Sequence, residues 1–152
     1  MKITTLMLGE LASNCYIQEV GNKKCVIVDI GGDAPIVFRR LEMMQLEPLA
    51  ILLTHGHYDH IAGVEQVREK YQIPVFIFVN KIDMPGTNKE FALTNIRNKF
   101  GDGGIDFSVE EKDMEAIAVC DEDVLEMYME SGEISDETIA DLVYERKLFP
   151  CY

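Results

Sequence analysis

The sequence predicts an α/β fold, a mixed β-sheet with flanking helices. Three observations carry this. The apolar run Ala50–Leu53 is followed by a helical pattern from Ala62 to Tyr71 and a second apolar run, Pro74–Val79, in the order strand, helix, strand. The first thirty residues divide into β-type runs separated by Gly and Asn turns. Beyond residue 87 amphipathic helical patterns dominate. A chain of 152 residues suits one folded unit.

Taken in order, Ile3–Leu8 and Asn14–Val20 read as strands joined by the loop Gly9–Ser13. Gly21-Asn22 turns the chain into a third strand, Lys24–Ile30, which Gly31-Gly32-Asp33 breaks. Asp33 is placed to cap a helix running to about Gln45, with Pro35 in its first turn and Ile36, Leu41 and Met44 on one side. Ala50–Thr54 is a buried strand, and after the Ala62–Tyr71 helix comes the strand Pro74–Val79. Thr87-Asn88-Lys89-Glu90 has capping-box spacing before a helix that ends at Gly101. Phe107–Val109 and Ala116–Val119 read as short strands. Asp121–Glu130 is a helix stopped by Gly132, and Ser135 caps another with Ile139, Leu142 and Val143 on one face. Leu148–Tyr152 begins an apolar strand whose edge favours a homodimer.

Composition excludes several classes. The longest apolar stretch, Pro74–Val79, is far below the ~20 residues a membrane helix needs, and Met1–Thr4 begins like a strand rather than a signal peptide. Cys15, Cys25, Cys120 and Cys151 are scattered with no Cys-x-x-Cys, as expected of reduced thiols in a cytoplasmic protein. The formal net charge is −13. Residues 1–70 hold seven Lys/Arg against nine Asp/Glu, and residues 71–152 hold seven against eighteen. Such an acidic surface disfavours nucleic acid and anionic membranes as partners.

The chemistry concentrates in Thr54-His55-Gly56-His57-Tyr58-Asp59-His60, which contains all three histidines of the chain. Imidazole nitrogen and carboxylate oxygen are donors that Zn²⁺ favours, and His-x-His spacing at a strand end points alternate side chains the same way. His55, His57, Asp59 and His60 are therefore the candidate metal ligands.

From Met1 to about Val75 the chain resembles the metallo-β-lactamase superfamily, most closely its glyoxalase II-like hydrolases. The residues carrying this are Asn14-Cys15-Tyr16, Val26–Asp33 and Ala50–Gly63. The resemblance implies that His55 and His57 ligate one zinc, that Asp59 and His60 ligate a second, and that Asp29 orients the motif. It also implies a distal histidine for each metal and a bridging aspartate, yet no histidine follows His60. One zinc rather than two is the expectation.

From about Tyr71 to Tyr152 the chain resembles a fragment of the G domain of translational GTPases, of the elongation factor G and tetracycline-resistance ribosomal protection type. Ile73–Asp83, Glu122–Glu130 and Leu148–Tyr152 carry it. By this resemblance Asn80, Lys81 and Asp83 are candidate guanine-binding residues: Asp83 would accept from the base edge, the Lys81 stem would cover the base and Asn80 would brace the loop. No Gly-x-x-x-x-Gly-Lys-Ser/Thr loop occurs to hold the phosphates.

The reading is thus a fold half metallo-β-lactamase-like (1–72) and half GTPase-like (73–152), joined through a shared β-α-β unit into one folded body. The expected function is a zinc-binding protein with a truncated hydrolase site, Asp59 holding the attacking water against a small-molecule ester, thioester or amide, with weak or no turnover. The alternative is a natural or engineered fusion with a structural role and neither enzymatic nor GTP-binding activity.

Overall fold

The computed structural model describes residues 2–79 and 88–152, which form two compact units, Met1–Phe78 and Val79–Tyr152.

The first unit is a five-stranded mixed sheet with helices. Its elements are β1 (Ile3–Leu8), β2 (Ser13–Gly21), β3 (Lys24–Val28), α1 (Ala34–Met44), β4 (Glu47–Leu53), α2 (Tyr58–Ile61), α3 (Val64–Tyr71) and β5 (Val75–Ile77). β1, β2 and β3 pair antiparallel, with Leu6 opposite Cys15 and Ile17 opposite Ile27. β4 lies parallel to β3 and β5 parallel to β4, with Ile51 opposite Val75 and Leu53 opposite Ile77. The two parallel strands β4 and β5 are the predicted strand–helix–strand crossover, and it lies wholly within this unit. Alternation separates the faces. Leu6, Leu8, Cys15, Ile17, Cys25, Ile27, Ile51, Leu53, Val75 and Ile77 are buried, with Val37 and Leu41 of α1 and Val64 and Val67 of α3. Lys70 ties the two helices together. It stands 4.1 Å from the Phe38 ring centroid and 3.6 Å from Glu42.

The second unit holds α4 (Lys89–Phe100), β6 (Gly104–Asp106), α5 (Met114–Ala118), α6 (Glu122–Ser131), α7 (Asp136–Tyr144) and β7 (Phe149–Cys151). β6 and β7 pair parallel, and Val79 N donates to the Tyr152 carbonyl at 2.6 Å. Asn88, Asp113, Asp121 and Ser135 each cap the helix that follows with a side-chain oxygen. Gly101 and Gly132, both at positive φ, end α4 and α6 as expected.

Several local expectations are corrected. Ala116–Val119 is not a strand. Asp113 accepts from Ala116 N and starts α5 there, and a four-residue apolar run carries no period able to separate the two states. Phe107–Val109 gives way to β6, three residues earlier, where Gly104 rather than Phe107 opens the pairing. The Ala62–Tyr71 helix starts two residues later than expected, as α3 from Val64, and a separate turn, α2 (Tyr58–Ile61), precedes it across Ala62-Gly63. Asp33 does not cap α1; it sits in the left-handed region and its carboxylate accepts from Gly9 N at 2.9 Å. The buried face of α1 is Ala34, Val37 and Leu41, whereas Ile36 is exposed.

All four cysteines are free thiols; Cys15, Cys25 and Cys151 are buried and Cys120 is half-buried. Burial, with Asp29 adding, pushes the Cys15 thiol up to about 12, so it stays protonated and unreactive. Among the described residues no helix is long and apolar enough to cross a membrane.

Candidate metal centre

β3 and β4 are parallel neighbours, so the loops that follow them emerge at one edge. Asp29 follows β3 and the segment Thr54–His60 follows β4. Backbone bonds fix the two loops to each other: Asp29 N donates to Leu52 O at 3.0 Å, Ile30 N to His60 O at 2.7 Å and Gly63 N to Ile30 O at 2.8 Å. Gly63 permits the last contact, since a Cβ there would meet Ile30 Cγ2 at 2.6 Å.

Asp29 is the buried centre, 3% exposed and at φ 55, a left-handed conformation that Asp adopts more readily than most residues. Its Oδ1 accepts from Thr54 N at 2.8 Å. Its Oδ2 accepts from the Thr54 hydroxyl at 2.6 Å and faces His60 Nδ1 at 2.8 Å. Thr54 Oγ1 also lies 2.9 Å from His55 Nδ1. A hydroxyl has one proton. With that proton given to Asp29, Thr54 accepts from His55, which assigns the hydrogen of His55 to Nδ1. The same bookkeeping assigns the His60 hydrogen to Nδ1. One carboxylate thus fixes both tautomers, one directly and one through Thr54, and leaves both Nε2 lone pairs free, the form a metal needs.

Donor atoms of Asp29, His55 and His60 all lie within 4.8 Å of one another. Asp29 already receives three hydrogen bonds, from Thr54 N, Thr54 Oγ1 and His60 Nδ1, and these orient the Thr54–His60 segment around it. The His55 and His60 ring centroids are 4.1 Å apart, and His57, exposed, sets its ring edge-on to His55 at 4.6 Å. Asp59 approaches from the other side, its Oδ2 3.4 Å from His60 Nε2 and accepting from Ser13 Oγ at 2.7 Å. Burial holds His55 below the usual imidazole range, and the neighbouring His60 and His57 push the same way against Asp29 and Asp59. The Ser13 hydrogen bond is the largest influence holding Asp59 below the ordinary carboxylate range. Imidazole nitrogens beside a carboxylate are a donor set that suits a divalent cation such as zinc.

The structure thus gathers His55, His57, Asp59 and His60 at one sheet edge. The candidate base-binding residues Asn80, Lys81 and Asp83 lie outside the described residues. Ser13 escaped the sequence reading because nothing local marks it; it sits 46 positions from Asp59.

The site is thus a cluster of oriented histidines and carboxylates at the edge of a mixed α/β sheet, with no buried side-chain nitrogen or oxygen left unpaired among the described residues. The chain belongs to the metallo-beta-lactamase superfamily, whose family model matches residues 8–122. The match runs through residue 72, where the two resemblances meet. The probable metallo-hydrolase YqgX of Bacillus subtilis is 38% identical over 81 residues, covering 53% of this chain and 38% of that protein. The hydroxyacylglutathione hydrolase of Klebsiella pneumoniae is 36% identical over 100 residues, covering 62% of this chain and 36% of that one. The crystal structure of the BLEG-1 B3 metallo-beta-lactamase superposes with a TM-score of 0.48 at 44% identity, covering 49% of this chain and 36% of that one. The aligned part therefore spans little more than a third of the relatives it matches.

Proposed function

We propose that the chain carries a zinc site of the hydrolase type held by His55, His57, Asp59 and His60, taking one ion rather than two, with little or no turnover. The observation that supports this most is the Asp29–Thr54–His55 and Asp29–His60 hydrogen bonding, which prepares two imidazole lone pairs at the strand edge. A zinc bound there would supply a water acidified to a pKa of about 7. The chain's own part is to orient: Asp29 fixes the two rings, and Asp59 would accept a hydrogen bond from the attacking water. The substrate class is a small-molecule thioester, ester or amide, and the likeness to a hydroxyacylglutathione hydrolase favours the first. A cytoplasmic location belongs to the same proposal.

Weak turnover follows from the donor count. A catalytic zinc generally keeps three protein ligands and an open position, and residues 61–152 supply no further histidine. Mass-spectrometric metal analysis of the untagged protein tests the site. About one zinc per chain, lost when His55 and His57 are both replaced by alanine, is the expected result. Unchanged metal in that double variant would remove the proposal. Robust thioester hydrolysis abolished by EDTA would overturn the second part.

The second stretch, from about Tyr71, we read as a G-domain fragment joined to the first, on the strength of Ile73–Asp83 and Leu148–Tyr152. Without a phosphate-binding loop it is expected to bind no guanine nucleotide. Titration with a fluorescent GDP analogue checks this, and saturable binding in the micromolar range would refute it.

A further inference from the structure

Ser13 opens β2 and belongs to no part of the histidine motif, yet its hydroxyl donates to Asp59 Oδ2 at 2.7 Å. The approach depends on Gly31. A Cβ at that position would collide with the Asp59 carbonyl oxygen and come within 3.3 Å of the Ser13 Cβ. The β1–β2 loop is secured from its other end as well, where Gly9 N donates to Asp33 Oδ2 and Gly9 lies against the Gly31 carbonyl. Three segments distant in sequence thus close around one serine–aspartate bond: the β1–β2 loop, the β3–α1 loop and the loop after β4.

The two histidines take their orientation from Asp29. Asp59 is different. It is 29% exposed at the side chain, and an aspartate so placed turns freely unless something holds it. Ser13 grips Oδ2, the same oxygen that stands 3.4 Å from His60 Nε2, and so fixes the carboxylate facing the histidine. We infer that Ser13 is a positioning residue that presets the Asp59 carboxylate for a divalent cation, in the way Asp29 presets the imidazoles. This rests on the reading of Asp59 as a metal donor. Presetting lowers the ordering cost of binding, so its loss appears as weaker affinity.

The test uses the full untagged chain and measures Zn²⁺ affinity by competition with a chromophoric chelator, and the visible spectrum of the Co²⁺ form. Removing a hydrogen-bond partner of a ligand typically costs 10–100-fold in metal affinity, so S13A should weaken Zn²⁺ by about that factor and shift the Co²⁺ bands. S13T, which keeps the hydroxyl, should stay within a few-fold of the unaltered protein. In a D59N background S13A should add no further loss, because the two residues act as one unit. A purely structural staple would instead weaken binding equally with and without D59N, and that result overturns the inference. So does an S13A variant that binds as tightly as the unaltered chain. If the unaltered chain takes up no metal, the metal reading itself fails and the inference falls with it.

Discussion

The two units begin their helices by opposite means. In the second, each of the four described helices opens on a side chain that accepts from the first turn: Asn88, Asp113, Asp121 and Ser135. In the first, α1, α2 and α3 open on Asp33, His57 and Gly63, and none of these makes a side-chain cap. The reason lies in what those positions do instead. Asp33 receives Gly9 N, His57 stands in the histidine cluster and Gly63 admits Ile30. These positions are committed instead to closing the sheet edge that carries the histidines. The charge divides the same way. Residues 1–78 carry seven Lys/Arg against nine Asp/Glu and the remainder seven against eighteen, so the second unit has acids to spare for caps.

The contrast predicts where each unit is vulnerable. The largest effect should come from Asp29→Ala. It strips the acceptor from Thr54 N, Thr54 Oγ1 and His60 Nδ1 at once, and Asp29 itself is buried. An unsatisfied buried polar group costs about 1–3 kcal/mol, so a loss of roughly 3 kcal/mol is expected by urea denaturation, together with loss of zinc uptake. A change below about 1 kcal/mol would mean that the loops are held by their backbone bonds alone.

Next in size is Leu53→Ala, at a position 0% exposed on β4. Truncating a buried leucine typically costs about 2–5 kcal/mol, and a value toward the lower end is expected because β4 is gripped by strands on both sides. The matching change in the second unit, Ser135→Ala, should cost about 1 kcal/mol through loss of the bond to Thr138 N, with metal uptake unaltered. If Ser135→Ala cost nothing, capping would not be what distinguishes the units.

The smallest effect is a pH dependence. Lys147, 2.6 Å from Asp121, holds that carboxyl below its ordinary value, with the Val124 amide assisting. A folded-state pKa below the unfolded one gives stability that is present above the unfolded pKa of about 3.9 and is lost as pH falls through the folded value. Asp121→Asn keeps a good cap but removes the charge. It should therefore lower the unfolding midpoint slightly at pH 7, and the gap to the unaltered protein should close on acidification below pH ~4. A gap independent of pH would assign the role of Asp121 to the cap alone.

How far the sequence alone reached depends on the distance over which each feature is encoded. His55, His57, Asp59 and His60 lie within six residues at a strand end, so their donor chemistry and placement were legible. The stops at Gly101 and Gly132 and the cap at Ser135 are equally local, because each acts within one helical turn. Strand pairing through β4 and β5 was legible because a short crossover between apolar runs leaves few topologies open. What the tertiary structure alone decided is every choice between partners of equal local merit. Asp33 is a good cap by sequence, but packing brings Gly9 N to its carboxylate. Ala116–Val119 fits a strand or a helix, and Asp113 decides for the helix. Ser13 resembles any loop serine until the fold carries it 46 positions along the chain to Asp59. A hydrogen bond across that separation has no periodicity and no spacing to betray it; it exists because three loops close on one another at a glycine too small to hold them apart.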